Sequence, residues 1–230
     1  MRPKALLFDT FGTLVDWRGS LVAQLTAWRG PNPDWPRLAD AWRGEYAPSM
    51  DRVRRGEQPW TPLDALHRAS LARLAPRFGL TLDDAALDAL TRFWHRLDPW
   101  PDSAPGLARL HPRFLLAPLS NGNVALLADL ARHANLRFDT LFGADVFGHY
   151  KPDPETYLGA CRLLALPPGQ VMLCAAHNAD LAAARKFGLG TAFIARPAEH
   201  GPNRSRDAAA TADWDYVATS VEDLATQLGY

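Results

Sequence analysis

From about residue 100 to the C-terminus, short apolar runs alternate with longer amphipathic stretches, and this alternation limits the possible folds more than any other feature. A short apolar run followed by a stretch of helical periodicity indicates a strand followed by a helix. The predicted strands and helices are 114–119 with 123–134, 171–175 with 179–187, 191–195, and 216–218 with 220–228. Such alternation predicts a parallel sheet covered on both faces, with ligand chemistry at the carboxyl ends of the strands.

A different pattern precedes residue 100. Residues 4–9 form a short apolar run that ends in Asp9, which predicts a buried first strand that ends in a carboxylate. Helical stretches follow near 17–29, 34–55, 61–76 and 81–98, separated by joints that carry Pro or Gly. We therefore predict a core formed by residues 1–15 and 100–230, with residues 16–99 inserted after the first strand as an all-helical domain.

The composition is that of an ordinary globular protein, with 47% hydrophobic and 22% charged residues in a chain of 230 residues. Lys plus Arg and Asp plus Glu number 25 each, so the net charge of zero gives no reason to expect nucleic acid or a membrane as a partner. A local basic patch stays compatible with these totals. The expected partner is a small-molecule substrate.

The two cysteines, Cys161 and Cys174, are too few for a disulfide framework and lack the spacing of a zinc site. The N-terminal apolar run of residues 5–8 is too short for a signal peptide or a membrane-spanning helix. We therefore expect a reducing, cytoplasmic location.

Polar clusters follow the predicted strands in four places. They are Asp9 with Thr13, residues 120–123, residues 151–154 and residues 177–180. Each cluster alone has an ordinary structural explanation, since Asp, Ser and Asn form turns and cap helices. Their joint order, with each cluster expected at the same edge of the sheet, instead favours an active site.

The segment FDTFGTLVD at residues 8–16, followed by these clusters, resembles the nucleophile motif of the haloacid dehalogenase superfamily. The resemblance extends over nearly the whole chain and implies a Rossmann-like α/β core with a helical cap at residues 16–99. It further implies that Asp9 is the nucleophile, Ser120 the hydroxyl of the second motif, Lys151 the base of the third and Asp180 the acid of the fourth.

Two departures separate this chain from the magnesium-dependent phosphatases of that superfamily. Those enzymes carry a second Asp two residues after the nucleophile, where this chain has Phe11, and a further acid at the position of Ala176. Mg²⁺ requires near-octahedral oxygen coordination, so Asp9 and Asp180 beside the ammonium of Lys151 should hold it poorly. The resemblance therefore implies a reaction without a metal or other cofactor.

With an aromatic residue at position 11, the sequence is similar to the L-2-haloacid dehalogenase (type II) branch. Members of that branch displace halide from the carbon next to a carboxylate. In that branch an arginine of the cap, matched by Arg43, receives the halide, and Asn121 matches the asparagine of the halide pocket. Phe11, Thr13, Tyr157 and Asn178 match other active-site residues of the branch. The segments 175–178 and 16–18 resemble the subset in which some members also cleave fluoroacetate.

These residue types suit a two-step displacement. The Asp9 carboxylate would attack C2 of the haloacid to form an ester, which a water molecule deprotonated by Asp180 would hydrolyse. Lys151 would keep Asp9 ionised, Asn178 would help to position Asp180, and Ser120 with nearby amides would bind the substrate carboxylate. For Asp180 and Ser120 helix capping stays an alternative, for Arg43 a solvated cap residue, and His177 is left without a role.

The leading hypothesis is thus hydrolysis of L-2-haloalkanoates to 2-hydroxy acids through an aspartyl ester. Seven of the eight tryptophans precede residue 101, and one or two of them would keep water from the pocket. Two alternatives stay open: a small-molecule phosphatase of the same superfamily, and a scaffold without activity that binds a partner. A homodimer is compatible with the apolar surface expected of the cap.

Overall fold

A computed structural model describes residues 3–201 and 207–230 of the chain. Residues 1–2 and 202–206, which belong to the predicted core segments, lie outside the described residues. Within the described part, five parallel strands form one sheet in the order β2-β1-β3-β4-β5. The strands are β1 Ala5–Phe8, β2 Leu115–Pro118, β3 Val171–Ala175, β4 Gly190–Ile194 and β5 Tyr216–Ala218. The predicted α/β fold with a parallel sheet is confirmed.

Between residues 17 and 96 the regular elements are helices. They are α1 Trp17–Arg29, α2 Trp35–Gly44, α3 Tyr46–Arg54, α4 Leu63–Leu74 and α5 Asp84–Thr91, with 3₁₀ turns at Ala75–Phe78 and Arg92–His95. The prediction of one helix over 34–55 is wrong, because α2 and α3 meet at Glu45. Pro48 explains the break, since its ring clashes with the carbonyl of residue 44, four positions earlier.

The second half of the chain supplies the remaining helices of the described residues. These are α6 Ser103–Leu110, α7 Val124–His133, α8 Ala144–Phe147, α9 Pro154–Leu163, α10 Asn178–Lys186 and α11 Val221–Gln227. The sequence analysis missed α6, α8 and α9. It was also wrong in placing Lys151 after a strand, because this residue lies in the turn between α8 and α9.

Strand β1 is buried along its whole length, which explains why it reads as an uninterrupted apolar run. Leu6 and Phe8 pack in one apolar cluster with residues of α6, α7, α11 and the inserted helices. Ala5 and Leu7 face the other side, where α9 and α10 cover the sheet. Because both faces are covered, polar side chains that follow the strands are confined to the sheet edge. None of the described helices has both the length and the apolar character that a membrane span requires.

Candidate active site

Asp9 follows β1 directly, and its side chain is almost completely buried at the carboxyl edge of the sheet. Its Oδ1 accepts a hydrogen bond from Lys151 Nζ at 2.9 Å. Its Oδ2 accepts from Thr13 Oγ1 at 2.7 Å and lies 3.0 Å from His177 Nδ1. Burial would raise the pKa of Asp9, but the charge of Lys151 and the contacts with His177 outweigh it and hold the pKa far below its usual range. Asp9 is therefore ionised at neutral pH.

Lys151 connects the nucleophile candidate to the second predicted acid. Its ammonium group contacts both Asp9 and Asp180, and the Tyr157 hydroxyl donates to Asp180 Oδ1 at 2.6 Å. Burial opposes the charge on Lys151, yet the two carboxylates raise its pKa above the ordinary value. Burial and the neighbouring Asp180 raise the pKa of Tyr157 as well, so its hydroxyl stays a donor. Both oxygens of Asp180 are thus held by donors in defined positions.

His177 lies between two carboxylates. While Nδ1 faces Asp9, Nε2 lies 3.1 Å from each oxygen of Glu199. Burial lowers the pKa of His177, but its hydrogen bonds to Asp9 and Glu199 raise it to about 10. Burial raises the pKa of Glu199, but the hydrogen bond with His177 and the charges of His177 and Arg43 together outweigh it, so the pKa lies below its ordinary value. The imidazole is therefore an imidazolium at neutral pH, and its position gives it a direct part in the site.

Glu199 was missed by sequence reasoning. It is 2% exposed, follows β4 in the loop near residue 200, and also accepts from Trp17 Nε1 at 3.2 Å. The sequence feature connected with Glu199 is a glycine, Gly12, in the turn after β1. In the structure Gly12 has a φ of +87°. A Cβ on Gly12 would come within 2.2 Å of Glu199 Oε1, so only glycine permits this approach.

The second-motif residues lie beside Lys151 and the start of α7. Asn121 Oδ1 accepts from the Lys151 backbone amide at 2.7 Å, and so it positions the loop that carries the ammonium group. Ser120 Oγ accepts from the Gly122 amide at 3.2 Å within the turn before α7, so this bond differs from the helix cap considered as the alternative. The Val124 amide donates to Asp145 at 3.0 Å. The amides of residues 122 and 124 therefore already have acceptors within the protein.

Asn178 begins α10, and the hydrogen bonds of its side chain go to residues other than Asp180. Its Nδ2 donates to Asp207 Oδ1 and the Ala209 carbonyl, and its Oδ1 accepts from the amide of Thr211 and the indole of Trp214. All four hydrogen bonds tie α10 to the segment after residue 206. The structure thus places Lys151 and Tyr157, rather than Asn178, against Asp180.

Arg43 extends from α2 toward the core among aromatic rings. Its Cζ lies 4.0 Å from the Tyr46 ring centroid and 5.8 Å from that of Phe11. Phe11 in turn packs edge-on against Trp94 at 5.8 Å. The Nη1 atom of Arg43 is buried and has no hydrogen-bond partner among the described residues. A buried cationic donor without a partner is suited to binding an anion.

A cavity of about 570 Å³ lies between the inserted helices and the core. It is lined by Trp17, Arg43 and Tyr46 from the inserted helices and by His177 and Glu199 from the core. His177, which lies against Asp9 Oδ2, lines the core side of this cavity and Arg43 its opposite side, so the cavity offers two cationic groups to a small anionic molecule. Aromatic walls reduce the access of water to the carboxylate.

The residues around Asp9 do not form a magnesium site. The Lys151 ammonium lies between Asp9 and Asp180, and the buried side chain at position 11 is Phe. Elsewhere, the side chains of His149, Asp153 and Glu155 have ligand atoms within 4.8 Å of one another, but Asp153 already pairs with Arg54 at 2.8 Å. The chemistry that the site supports is nucleophilic attack by a carboxylate, with the charge balanced by lysine and histidine.

Comparison with known proteins agrees with this geometry. The family described as haloacid dehalogenase-like hydrolase matches residues 3–188. An (S)-2-haloacid dehalogenase of Xanthobacter autotrophicus is 30% identical over 203 residues, which cover 84% of this chain and 75% of that protein. The crystal structure of the L-2-haloacid dehalogenase PA0810 has 58% identity, 98% coverage of both chains and a TM-score of 0.95. The defluorinating L-2-haloacid dehalogenase Rha0230 has 46% identity, coverage of 99% of this chain and 96% of that one, and a TM-score of 0.95. The chain therefore belongs to the haloacid dehalogenase-like hydrolases.

Proposed function

We propose that this protein hydrolyses the carbon–halogen bond of L-2-haloalkanoates, such as haloacetates and 2-halopropionates, to give 2-hydroxy acids and halide. The observation that carries the proposal is the ionised, buried Asp9 held by Lys151 where a metal-dependent phosphatase would need further carboxylates. The dehalogenases among its relatives support the same substrate class. The phosphatase alternative is less supported, because Phe11 and Ala176 stand where the magnesium-dependent phosphatases carry further carboxylates.

In the first step the Asp9 carboxylate attacks C2 from the side opposite the halogen. A carbon–oxygen bond forms, the carbon–halogen bond breaks, and the halide leaves with the electron pair toward Arg43. Phe11 packs beside the Arg43 guanidinium at 5.8 Å, and Asn121 holds the Lys151 loop. Backside displacement inverts the configuration, so an L-2-haloacid gives a D-2-hydroxy acid. The buried and unpartnered Nη1 of Arg43 supports its role toward the halide or the substrate carboxylate.

In the second step water attacks the carbonyl carbon of the Asp9 ester. Asp180 accepts the proton of this water, and its hydrogen bonds with Lys151 and Tyr157 fix the direction of its lone pairs. Ser120 shapes the turn that precedes α7, and Asn178 secures α10, which carries Asp180. In this scheme the helices of residues 16–99 act as a cap that closes the cavity.

The homodimer and the cytoplasmic location stay predictions.

The test is halide release from fluoro-, chloro- and bromoacetate and from both enantiomers of 2-chloropropionate, with chelator present throughout. We expect halide from the S but not the R enantiomer of 2-chloropropionate, at a rate that chelator leaves unchanged. A single turnover in heavy-oxygen water should label Asp9. Phosphatase activity that chelator abolishes, or no label and no halide, would overturn the proposal and favour one of the alternatives.

Variants of Asp9 and Asp180 test the roles that we propose for these two acids. Asp9→Asn should abolish halide release, whereas Asp180→Asn should release about one halide per site and then accumulate the ester, because only the second step needs a base. Asp84→Asn is the matched control, since this carboxylate is exposed and pairs with Arg68 at the surface. Full turnover by Asp180→Asn would contradict the assignment of the base.

A further inference from the structure

The two oxygens of Asp9 have different surroundings. Oδ1 contacts the Lys151 ammonium, whereas Oδ2 faces the Thr13 hydroxyl at 2.7 Å and His177 Nδ1 at 3.0 Å. The Thr13 hydroxyl already accepts a hydrogen bond from the Ala176 amide at 2.9 Å. Its own hydrogen is therefore directed to Asp9. Oδ2 thus has two donors in fixed positions and Oδ1 has the cation that also contacts Asp180.

The protonation of His177 follows from its partners. Ionised carboxylates can only accept, so a ring between Asp9 and Glu199 must donate from both nitrogens. Nearby cationic groups oppose a further positive charge on the ring, since Arg43 and His200 interact with Glu199 and Lys151 contacts the other oxygen of Asp9. The two carboxylates in direct contact with the ring outweigh them. An imidazolium that donates from both nitrogens has no lone pair left to accept a proton from water.

We propose that Thr13 and the His177 imidazolium form an oxyanion hole for Asp9 Oδ2, and that Oδ1 is the oxygen that attacks carbon. This inference rests on the proposed function. After the attack, Oδ1 is the ester oxygen and Oδ2 the carbonyl oxygen of the ester. Water adds to the carbonyl carbon, its proton passes to Asp180, and the electron pair of the double bond moves to Oδ2, where the two donors stabilise the negative charge.

Collapse of this intermediate reforms the carbonyl and breaks the bond between the carbonyl carbon and Oδ1. Lys151, which contacts Oδ1, protonates the leaving oxygen and recovers a proton from Asp180, which it also contacts. The product is the 2-hydroxy acid, and the oxygen of water remains on the Asp9 carbon as a hydroxyl. This hydroxyl loses the second proton of the water to solvent, which restores the Asp9 carboxylate. Glu199 touches no reacting atom in this sequence. It is a positioning residue that keeps His177 charged and directed at Oδ2.

Rapid-quench single turnovers with (S)-2-chloropropionate separate the two steps. We expect His177→Leu to retain a burst of about one halide per site and to slow ester hydrolysis about 100- to 1000-fold, the usual effect of losing one oxyanion-hole donor. The ester should then be visible in the intact mass of the protein. His177→Gln, whose amide is a neutral donor, should recover part of the hydrolysis rate. Equal slowing of both steps in both variants, with no ester, would overturn the proposal.

The pH profile distinguishes an oxyanion hole from a base. Because His177 acts in its protonated form, ester hydrolysis should be lost as the pH rises through its pKa. Glu199→Gln removes one partner of the imidazolium, which lowers this pKa, so the loss should begin at lower pH while the halide burst is retained. A hydrolysis rate that instead rises with pH through this region would assign His177 as the base. Absence of halide from the wild-type protein would refute the proposed function itself.

Sequential labelling tests which oxygen attacks. One turnover in heavy-oxygen water places the label in the Asp9 carboxylate, and a second turnover then follows in ordinary water. If Thr13 and His177 hold Oδ2 in place, the labelled oxygen occupies the Oδ1 position and all of the label leaves in the second product. Retention of the label in Asp9, or its equal division between Asp9 and the product, would overturn the assignment of Oδ1.

Discussion

Arg196 joins the turn after β1 to the C-terminal part of the core, and its removal should be costly. Its Nε donates to the Thr13 carbonyl at 2.8 Å, and its two terminal nitrogens donate to the two oxygens of Asp102 at 2.7 and 2.8 Å. The Arg196 and Asp102 side chains are only 7% and 14% exposed. Asp102 also accepts from the Val221 amide at the start of α11. One guanidinium thus connects three segments of the chain.

Arg196→Met removes the guanidinium and leaves the Asp102 carboxylate buried without its cation. Breaking a buried pair in this way costs about 3–5 kcal/mol, and the residual exposure of Asp102 places the expected loss near the lower end. For a chain of this size, a loss of about 3 kcal/mol lowers Tm by roughly 6–12 °C. Arg37→Met is the control, because its pair with Asp34 has side chains 77% and 45% exposed. That variant should lose at most about 1 kcal/mol.

Urea unfolding at pH 7, followed by tryptophan fluorescence, measures both losses. The pH dependence gives a second check. Burial raises the pKa of Asp102, but the hydrogen bonds from Arg196 and the Val221 amide, together with the charge of Arg196, outweigh it, so the folded-state pKa lies below the unfolded value of about 3.9. The ion pair of Arg196 with Asp102 therefore stabilises the protein fully above a pH of about 3.9. Its contribution to the free energy of unfolding is lost as the pH falls below that value toward the folded-state pKa of Asp102. A loss for Arg196→Met no larger than that for Arg37→Met would refute this reasoning.

Three further outcomes follow from the site geometry. Gly12→Ala should abolish turnover and lower the midpoint of thermal unfolding, because a Cβ there would come within 2.2 Å of Glu199. Normal kinetics of this variant would contradict the close approach. Tyr157→Phe should slow ester hydrolysis about 10- to 100-fold and leave the halide burst intact, since a hydrogen bond to a charged group contributes about 1.5–3 kcal/mol. An unchanged rate of ester hydrolysis in a quench experiment would argue against a role of Tyr157 in holding Asp180. Because the pKa of Asp9 is depressed, the halide burst should persist as the pH falls from 7 to 4, and a decline centred near pH 4 would speak against Lys151 as its charge partner.

Local pattern predicted the parts of the fold that depend on neighbours in sequence. The apolar run before Asp9 and the alternation after residue 100 correctly predicted strands and a parallel sheet. The break at Glu45 was missed although Pro48 is visible in the sequence, because helical periodicity continues across it. Helix α9, which follows Lys151, was missed as well.

The candidate site was predictable only where a residue type and its motif spacing carry the information. Asp9, Lys151 and Asp180 were predicted by their position in the motifs, and the structure brings them together. The direction of the Asn178 side chain was not predictable, because its hydrogen-bond partners come from residues 207–214. A motif specifies which residue stands at a helix start but not which neighbouring loop binds its side chain.

Hydrophobic periodicity and the order of the polar clusters were enough to establish an α/β fold with an acid at the end of its first strand, since both depend on interactions along the chain. The pairing of His177 with Glu199 depended on folding, because Glu199 lies in a loop 190 residues after Asp9 and a loop has no periodicity to reveal its partners. Only the three-dimensional contact of two buried carboxylates with one imidazole sets the charge of that ring. The charge of the candidate site is therefore a property of the packed structure.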